Sequence, residues 1–247
     1  MSRASRGIRI TGRVIKYLFF TLVFAVIILL LWRIFSSGDP KEMKRLTPND
    51  KLCAAYEEKG DELTIFRQEQ KSITSGKDNY GYFSVTQCVF IPDANQIQIV
   101  VRYNNSTLRA LAEDFGLPEA PARDAELFDI SLTVAVDKTP DVTEDNAGND
   151  TQSVAFTRIH PTTVEAGEKN LYNYRRLVFD LDSEGLSLHS LLQENLLLAV
   201  YADIYYNQAI NYEEHAYGTL CLYDYVSEKI EVNLTSADRK ALESYGE

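Results

Sequence analysis

The chain has 247 residues, 25 basic and 36 acidic, for a net charge of −11 at pH 7. All the acidic residues follow Arg33, where only 19 basic ones lie, so that part carries a net −17. Such a domain repels phosphate backbones and anionic headgroups, which excludes nucleic acid as a partner.

Residues 1–16 form a basic tail, with Arg3, Arg6, Arg9, Arg13 and Lys16 and no acidic residue. The segment from Tyr17 to Phe35 follows, uncharged as far as Trp32. Its sixteen uncharged residues rise about 24 Å as a helix. Val14, Ile15, Ile34 and Phe35, with Lys16 and Arg33 snorkelling, extend it to the roughly 30 Å of a bilayer core. The sequence therefore predicts a single transmembrane anchor over 17–35. The basic excess on the N-terminal flank predicts a cytoplasmic N-terminus and a main domain outside the cytoplasm, extracellular or lumenal. The competing reading is a cleaved signal peptide ending near Ser36, Ser37 and Gly38, which calls for a shorter apolar run and a clean A-x-A site. Residues 36–46 read as a polar stalk, and 47–247 as an extracytoplasmic β-rich domain.

That domain opens on a helix with Thr47 as N-cap and Pro48 at the first position, ending before Gly60. From residue 80 the apolar period shortens to two. Strands are predicted over 82–91 and 96–103, joined by a hairpin loop over 92–95, with Ile97, Ile99, Val101 and Tyr103 on one face. A short helix over 106–115 closes at Gly116. The stretch 127–137 alternates most cleanly: Phe128, Ile130, Leu132, Val134 and Val136 face one way, and Asp129, Ser131, Thr133 and Asp137 face the other. That predicts a sheet with one wet face. An acidic loop spans 139–151. Further strands are predicted over 152–160, 172–181, 196–206, 217–225 and 229–234, with a helical turn over 186–193. A last helix is capped by Thr235 or Ser236. About eight strands with two or three short helices, and no regular βαβ alternation, predict a mainly β domain built as an antiparallel β-sandwich, Ig-like or related. The Cys…Trp…Cys signature of true immunoglobulin domains is missing, since the sole tryptophan is Trp32.

Three cysteines leave at least one thiol unpaired within the chain. Cys88 and Cys221, both in strand-like runs, are the candidates for a bridge; the alternative is that both are small buried hydrophobes. Asp180-Leu181-Asp182 places two carboxylates where they can share a divalent metal and grip a diphosphate. Together with the anchor this resembles many Golgi glycosyltransferases, over those three residues and the anchor only. The resemblance implies a membrane-tethered, metal-dependent enzyme acting on sugars through Asp180 and Asp182. His160, His189 and His215 are too dispersed for a ligand set. Asp141, Glu144, Asp145, Asn146, Asn149 and Asp150 concentrate hard oxygen ligands in one loop, without the order of an EF-hand. Tyrosines crowd the last strands, and those in the loop, Tyr206 and Tyr212, are candidate binding residues for a sugar ring or a protein. Asn104, Asn105, Asn149 and Asn233 each begin an N-x-S/T triplet. No hydrolase, Walker or zinc-protease motif appears, and no cofactor is implied. The leading expectation is a non-enzymatic binding or accessory module for a protein or polysaccharide. The alternatives are the sugar-directed enzyme and a structural subunit of an envelope or membrane complex.

Overall fold

The computed structural model describes residues 3–36, 43, 45–67, 83–114, 116, 118–119, 128–138, 153–169, 172–206, 218–224 and 230–246. The chain forms two compact units, Met1–Asp39 and Pro40–Glu247. The first is a single helix, α1 (Arg3–Ser36). Its side chains are described over 16–32 and are exposed throughout, Phe19 at 63% and Leu29 at 61%. Thr21 turns its hydroxyl back to the Tyr17 carbonyl (2.9 Å), so its polar group is satisfied inside the helix. Among the described residues no helix is long and apolar enough to cross a membrane.

The second unit is mainly β. Its described elements are α2 (Asp50–Lys59), β1 (Phe66–Arg67), β2 (Ser84–Ile91), β3 (Gln96–Asn104), α3 (Asn105–Asp114), β4 (Phe128–Asp137), β5 (Val154–Ile159), β6 (Thr163–Lys169), β7 (Tyr172–Asp180), α4 (Leu188–Gln193), β8 (Leu197–Tyr206), β9 (Gly218–Asp224), β10 (Ile230–Glu231) and α5 (Ser236–Glu243). All pairings are antiparallel. They give a first sheet in the order β10-β1-β2-β3-β7-β6 and a second in the order β5-β4-β8-β9. Hairpins alternate between the sheets: β2–β3 in the first, β4–β5 in the second, β6–β7 in the first, β8–β9 in the second. One hydrophobic cluster takes side chains from both, including Phe90, Ile99 and Phe179 from the first and Leu132, Val200 and Leu222 from the second. This is the arrangement of a β-sandwich.

The period-2 pattern explains a second core. Cys88 and Phe90 on β2 point into the cluster between the sheets, while the alternating Val89 and Ile91 point away. There they meet Leu46, Leu52, Ala55, Ile65, Leu234 and Leu242. The chain before α2, α2 itself and α5 therefore cover the outer face of the first sheet. Gln96 and Gln98 on that face are buried, at 2% and 4% exposure. The predicted wet face of β4 is polar but largely closed as well. Ser131 is fully buried there, and Asp203, its partner on β8, is 7% exposed.

Several local expectations change. The N-cap of α2 is Asn49, whose Oδ1 accepts from the Leu52 amide (3.0 Å). Thr47 is instead held in an extended segment by Gln98: the Thr47 amide donates to Gln98 Oε1 (2.8 Å), and Gln98 Nε2 donates to the Thr47 carbonyl (3.0 Å). β6 was not predicted, because its TVEAGEK alternates around small and charged residues. Gly167 in it leaves room for Met43; a Cβ would collide with the Met43 methyl. Thr235 caps α5 in a full capping box with Asp238.

Asp238 is fully buried and joins three separate stretches of chain. Its carboxylate accepts from the Leu46 amide (2.7 Å), from Arg67 Nη2 (2.7 Å), and from the Thr235 amide (2.9 Å) and hydroxyl (2.6 Å). Removing one partner of a buried pair costs about 3–5 kcal/mol. Asp238→Ala should lose stability in that range. Urea unfolding of the Pro40–Glu247 unit should show a lower midpoint at unchanged slope; an unchanged midpoint would mean that the carboxylate carries no net load.

Candidate functional site

Asp180 and Asp182 do come together, at the end of β7. Asp180 caps the 3-10 turn Leu181–Glu184, its Oδ1 accepting from the Asp182 amide (3.0 Å). The turn closes on Gly185 at φ +66°, a backbone position that glycine takes without steric cost. Lys51 of α2 reaches both carboxylates, pairing with Asp180 Oδ1 at 2.7 Å and also with Asp182. Asn95, at φ +52° in the β2–β3 turn, donates to Asp182 and to the Leu186 carbonyl (2.7 Å), and accepts from the Leu188 amide (2.7 Å). The ammonium of Lys51 thus stands between the two carboxylates that a divalent ion would bridge, and a metal would have to displace it. Among the described residues no group of three or more His, Cys, Asp or Glu side chains is placed to hold a metal ion.

The charges agree with this geometry. Hydrogen bonds from Lys51 and then Asn95 hold the Asp182 carboxyl below its ordinary value. Burial alone would lower the Lys51 pKa, but its bonds to Asp180 and Asp182 outweigh that and raise it. A neighbouring pair repeats the theme. Asp93 accepts from Lys59 (2.5 Å) and from the Thr64 amide (2.7 Å), which together overcome the opposing effect of burial and lower its pKa.

A second polar group, which sequence reasoning did not single out as a site, lies on the outer face of the second sheet. Asp203 accepts from Thr133 (2.5 Å) on β4 and from Thr219 (2.9 Å) on β9. Arg158 on β5 donates to the Tyr205 hydroxyl (3.0 Å) and lies 5.4 Å from that ring's centroid. His160 Nδ1 is 3.8 Å from an Asp129 oxygen. Toward the other end of the same face, on the edge strand β5, Phe156 is 68% exposed and Val154 is 39% exposed. The signal in the sequence was the alternation Asp129, Ser131, Thr133, read there as a solvated face.

The candidate bridge between Cys88 and Cys221 is not formed. All three cysteines are free. Cys88 points into the core between the sheets, where burial pushes its thiol pKa up. Cys221 alternates with the buried Leu220 and Leu222 and so lies on the other face of its strand. Its Sγ is 3.5 Å from the Tyr223 carbonyl. Tyr206 ends β8 opposite Phe128; its side chain lies outside the described residues. So do Tyr212, His215, Asn149 and the acidic loop 139–151. Asn104 accepts from the Ser106 amide (2.8 Å) and the Thr107 amide (3.2 Å), leading the chain into α3. The chain matches no protein-family model, no curated protein and no solved structure.

Two outcomes test this arrangement. Lys51→Met should cost about 1 kcal/mol at neutral pH, since the pair is partly solvated. The depressed Asp182 pKa contributes stability above the ordinary carboxylate range near 4 that is lost as pH falls through the folded value. The raised Lys51 pKa contributes stability below the ordinary lysine value that is lost as pH rises through the folded one. The cost of Lys51→Met should therefore shrink in acid, and urea midpoints taken across pH would read it. Separately, thiol titration of unreduced, denatured protein should count three thiols, with Cys88 unreactive before denaturation. A single reactive thiol would mean that a bridge forms.

Proposed function

We propose that this chain is a single-pass membrane-anchored protein with a cytoplasmic N-terminus and an acidic extracytoplasmic β-sandwich. In this reading it acts as a non-enzymatic binding or accessory module for a protein or polysaccharide. The observation that carries the anchor is the all-round exposure of the apolar side chains of α1. A helix with no polar face is removed from water only where something apolar surrounds it. Lys16, whose ammonium is 5.9 Å from the Phe20 ring centroid, ends the basic tail where the apolar run begins. The arginines before it favour the cytoplasmic orientation.

An Ig-like arrangement is supported by the strand order. With β2 taken as strand A and the others in sequence, β2-β3-β7-β6 follows A-B-E-D, and β5-β4-β8-β9 follows C′-C-F-G. β1 and β10 then extend the first sheet beyond strand A. A binding role is supported by the second sheet's outer face, where Phe156 stands exposed two residues from Arg158 along the edge strand β5. An exposed aromatic side chain with an arginine next to it is a common anchor of a contact surface.

Orientation is tested by fusing either a periplasm-dependent phosphatase or a cytoplasm-dependent fluorescent protein after Glu247, in a bacterial host, with alkaline extraction of the membranes. Phosphatase activity in the unextracted pellet is expected. Fluorescence of the second fusion, or release of the chain by alkali, would overturn the reading.

A further inference from the structure

The inner face of the first sheet changes character at one end. β3 and β7 pair with Val101 opposite Arg175 and Tyr103 opposite Asn173. Strand alternation puts Tyr103, Asn173 and Arg175 on the same face as Ile97, Ile99, Leu177 and Phe179, which line the core. On β7 the hydrogen-bonding side chains Arg175 and Asn173 thus follow the apolar ones, facing Val101 and Tyr103 of the core cluster on β3. Asn173 is 3% exposed, and its Nδ2 is buried without a hydrogen-bond partner. An unanswered buried amide destabilises a fold unless something else satisfies it. Arg175 is half-buried. Its guanidinium lies 5.6 Å from the Tyr103 ring centroid, and Nη1 donates to the adjacent Tyr174 carbonyl (3.2 Å). It makes no ion pair among the described residues, in a chain with 36 acidic residues. The next residue shows the contrast: Arg176, on the opposite face, pairs with Glu165 of β6. Glu168, opposite Asn173 on β6, is exposed.

We propose that Tyr103, Asn173 and Arg175 form a subsite for a carboxylate. A guanidinium offers two parallel N–H groups that match the two oxygens of a carboxylate. The Tyr103 ring holds the plane of that guanidinium, and the Asn173 amide supplies a further donor beside it. The same chemistry recognises the carboxylate of an acidic sugar or of a peptide terminus, and both are presented outside a membrane. The inference rests on the binding reading above for its biological setting, but not on the orientation of the chain.

The test is thermal unfolding of the full chain in detergent micelles with galacturonate, N-acetylglycine or, as a control, sulfate. A carboxylate at about a hundred times its dissociation constant should raise the midpoint by about 5–10 °C, and sulfate should leave it in place. Galacturonate alone would mark a sugar acid as the source, and N-acetylglycine alone a peptide terminus. Arg175→Gln should abolish the shift. Asn173→Leu should raise the ligand-free midpoint, because the unanswered amide is gone, and should also abolish the shift. No shift with either carboxylate, an equal shift with sulfate, or a shift that survives in Arg175→Gln would overturn the subsite. Because the purified protein is used, failure here leaves the fusion result for membrane orientation standing, and the two readings fail separately.

Discussion

The bond from the Leu46 amide to the buried Asp238 carboxylate is the constraint on which the rest of the second unit depends. A chain that crosses a sheet face away from water must have its backbone N–H and C=O groups answered by protein. Between Leu46 and Asn49 the answers come from side chains: Asp238 for Leu46, both ends of the Gln98 amide for Thr47, and Gln96 for the Asn49 side chain. Gln98 in effect stands in for a neighbouring strand, offering one donor and one acceptor to the same residue. Because Asp238 also holds Arg67 and Thr235, the segment before α2, strand β1 and helix α5 are fixed by one carboxylate.

That clamp explains why the first sheet can be hydrophobic on both faces. β2 carries Phe90 on one side and Val89 and Ile91 on the other. An antiparallel sheet of this kind usually leaves one face to water. Here the second face is roofed by Leu46, Leu52 and Leu242, which come from parts of the chain far apart in sequence and brought together by the polar contacts at Asp238 and Gln98. The apolar burial supplies most of the stabilisation. The buried polar contacts fix where each piece lies, since a shifted register would leave an amide or a carboxylate unanswered.

Much of the fold was legible because period-2 alternation was strong where strands face the core. The strands from β2 to β5 and from β7 to β9 fell within a few residues of their predicted bounds, as did the Gly60, Gly116 and Thr235 boundaries. What escaped was set by tertiary partners. β6 has no apolar stripe and exists because β7 offers it an edge, with Glu165 set opposite Arg176. β1 is two residues long, too short for any period to register, while β10, Ile230–Glu231, is the paired part of the strand predicted over 229–234. The N-cap moved from Thr47 to Asn49 because Gln98, half a hundred residues away, claims the Thr47 peptide. The site residues fared unevenly for the same reason. The nearness of Asp180 and Asp182 could be read from their spacing, but nothing local announces that Lys51 of α2 sits between them. The odd cysteine count was sound, yet which face each cysteine takes follows from its pairing partner, the core residue Ile99 for Cys88 and Tyr201, outside the core cluster, for Cys221.

The distribution of charge bears on what kind of molecule this is. The carboxylates at Asp93, Asp182 and Asp238 are each answered by a cation and by at least one further donor, and they serve to join segments. In a domain of net −17, cations are the scarce group, and Lys51, Lys59, Arg67 and Arg176 are each spent on a specific acid. An arginine left over from this pairing is therefore more informative here than it would be in a neutral domain, where unpaired surface arginines are common. Among the described residues Arg175 is one such arginine, and it lies 5.6 Å from an aromatic ring centroid, two residues from an unanswered buried amide. A ligand arriving there meets the Arg175 guanidinium and the unanswered Asn173 amide together. The surrounding negative field disfavours anions in general, so an anion that binds must gain its affinity from close hydrogen bonding rather than from long-range attraction. That demand selects for shape and donor geometry, which is how an acidic domain can still recognise an acidic group.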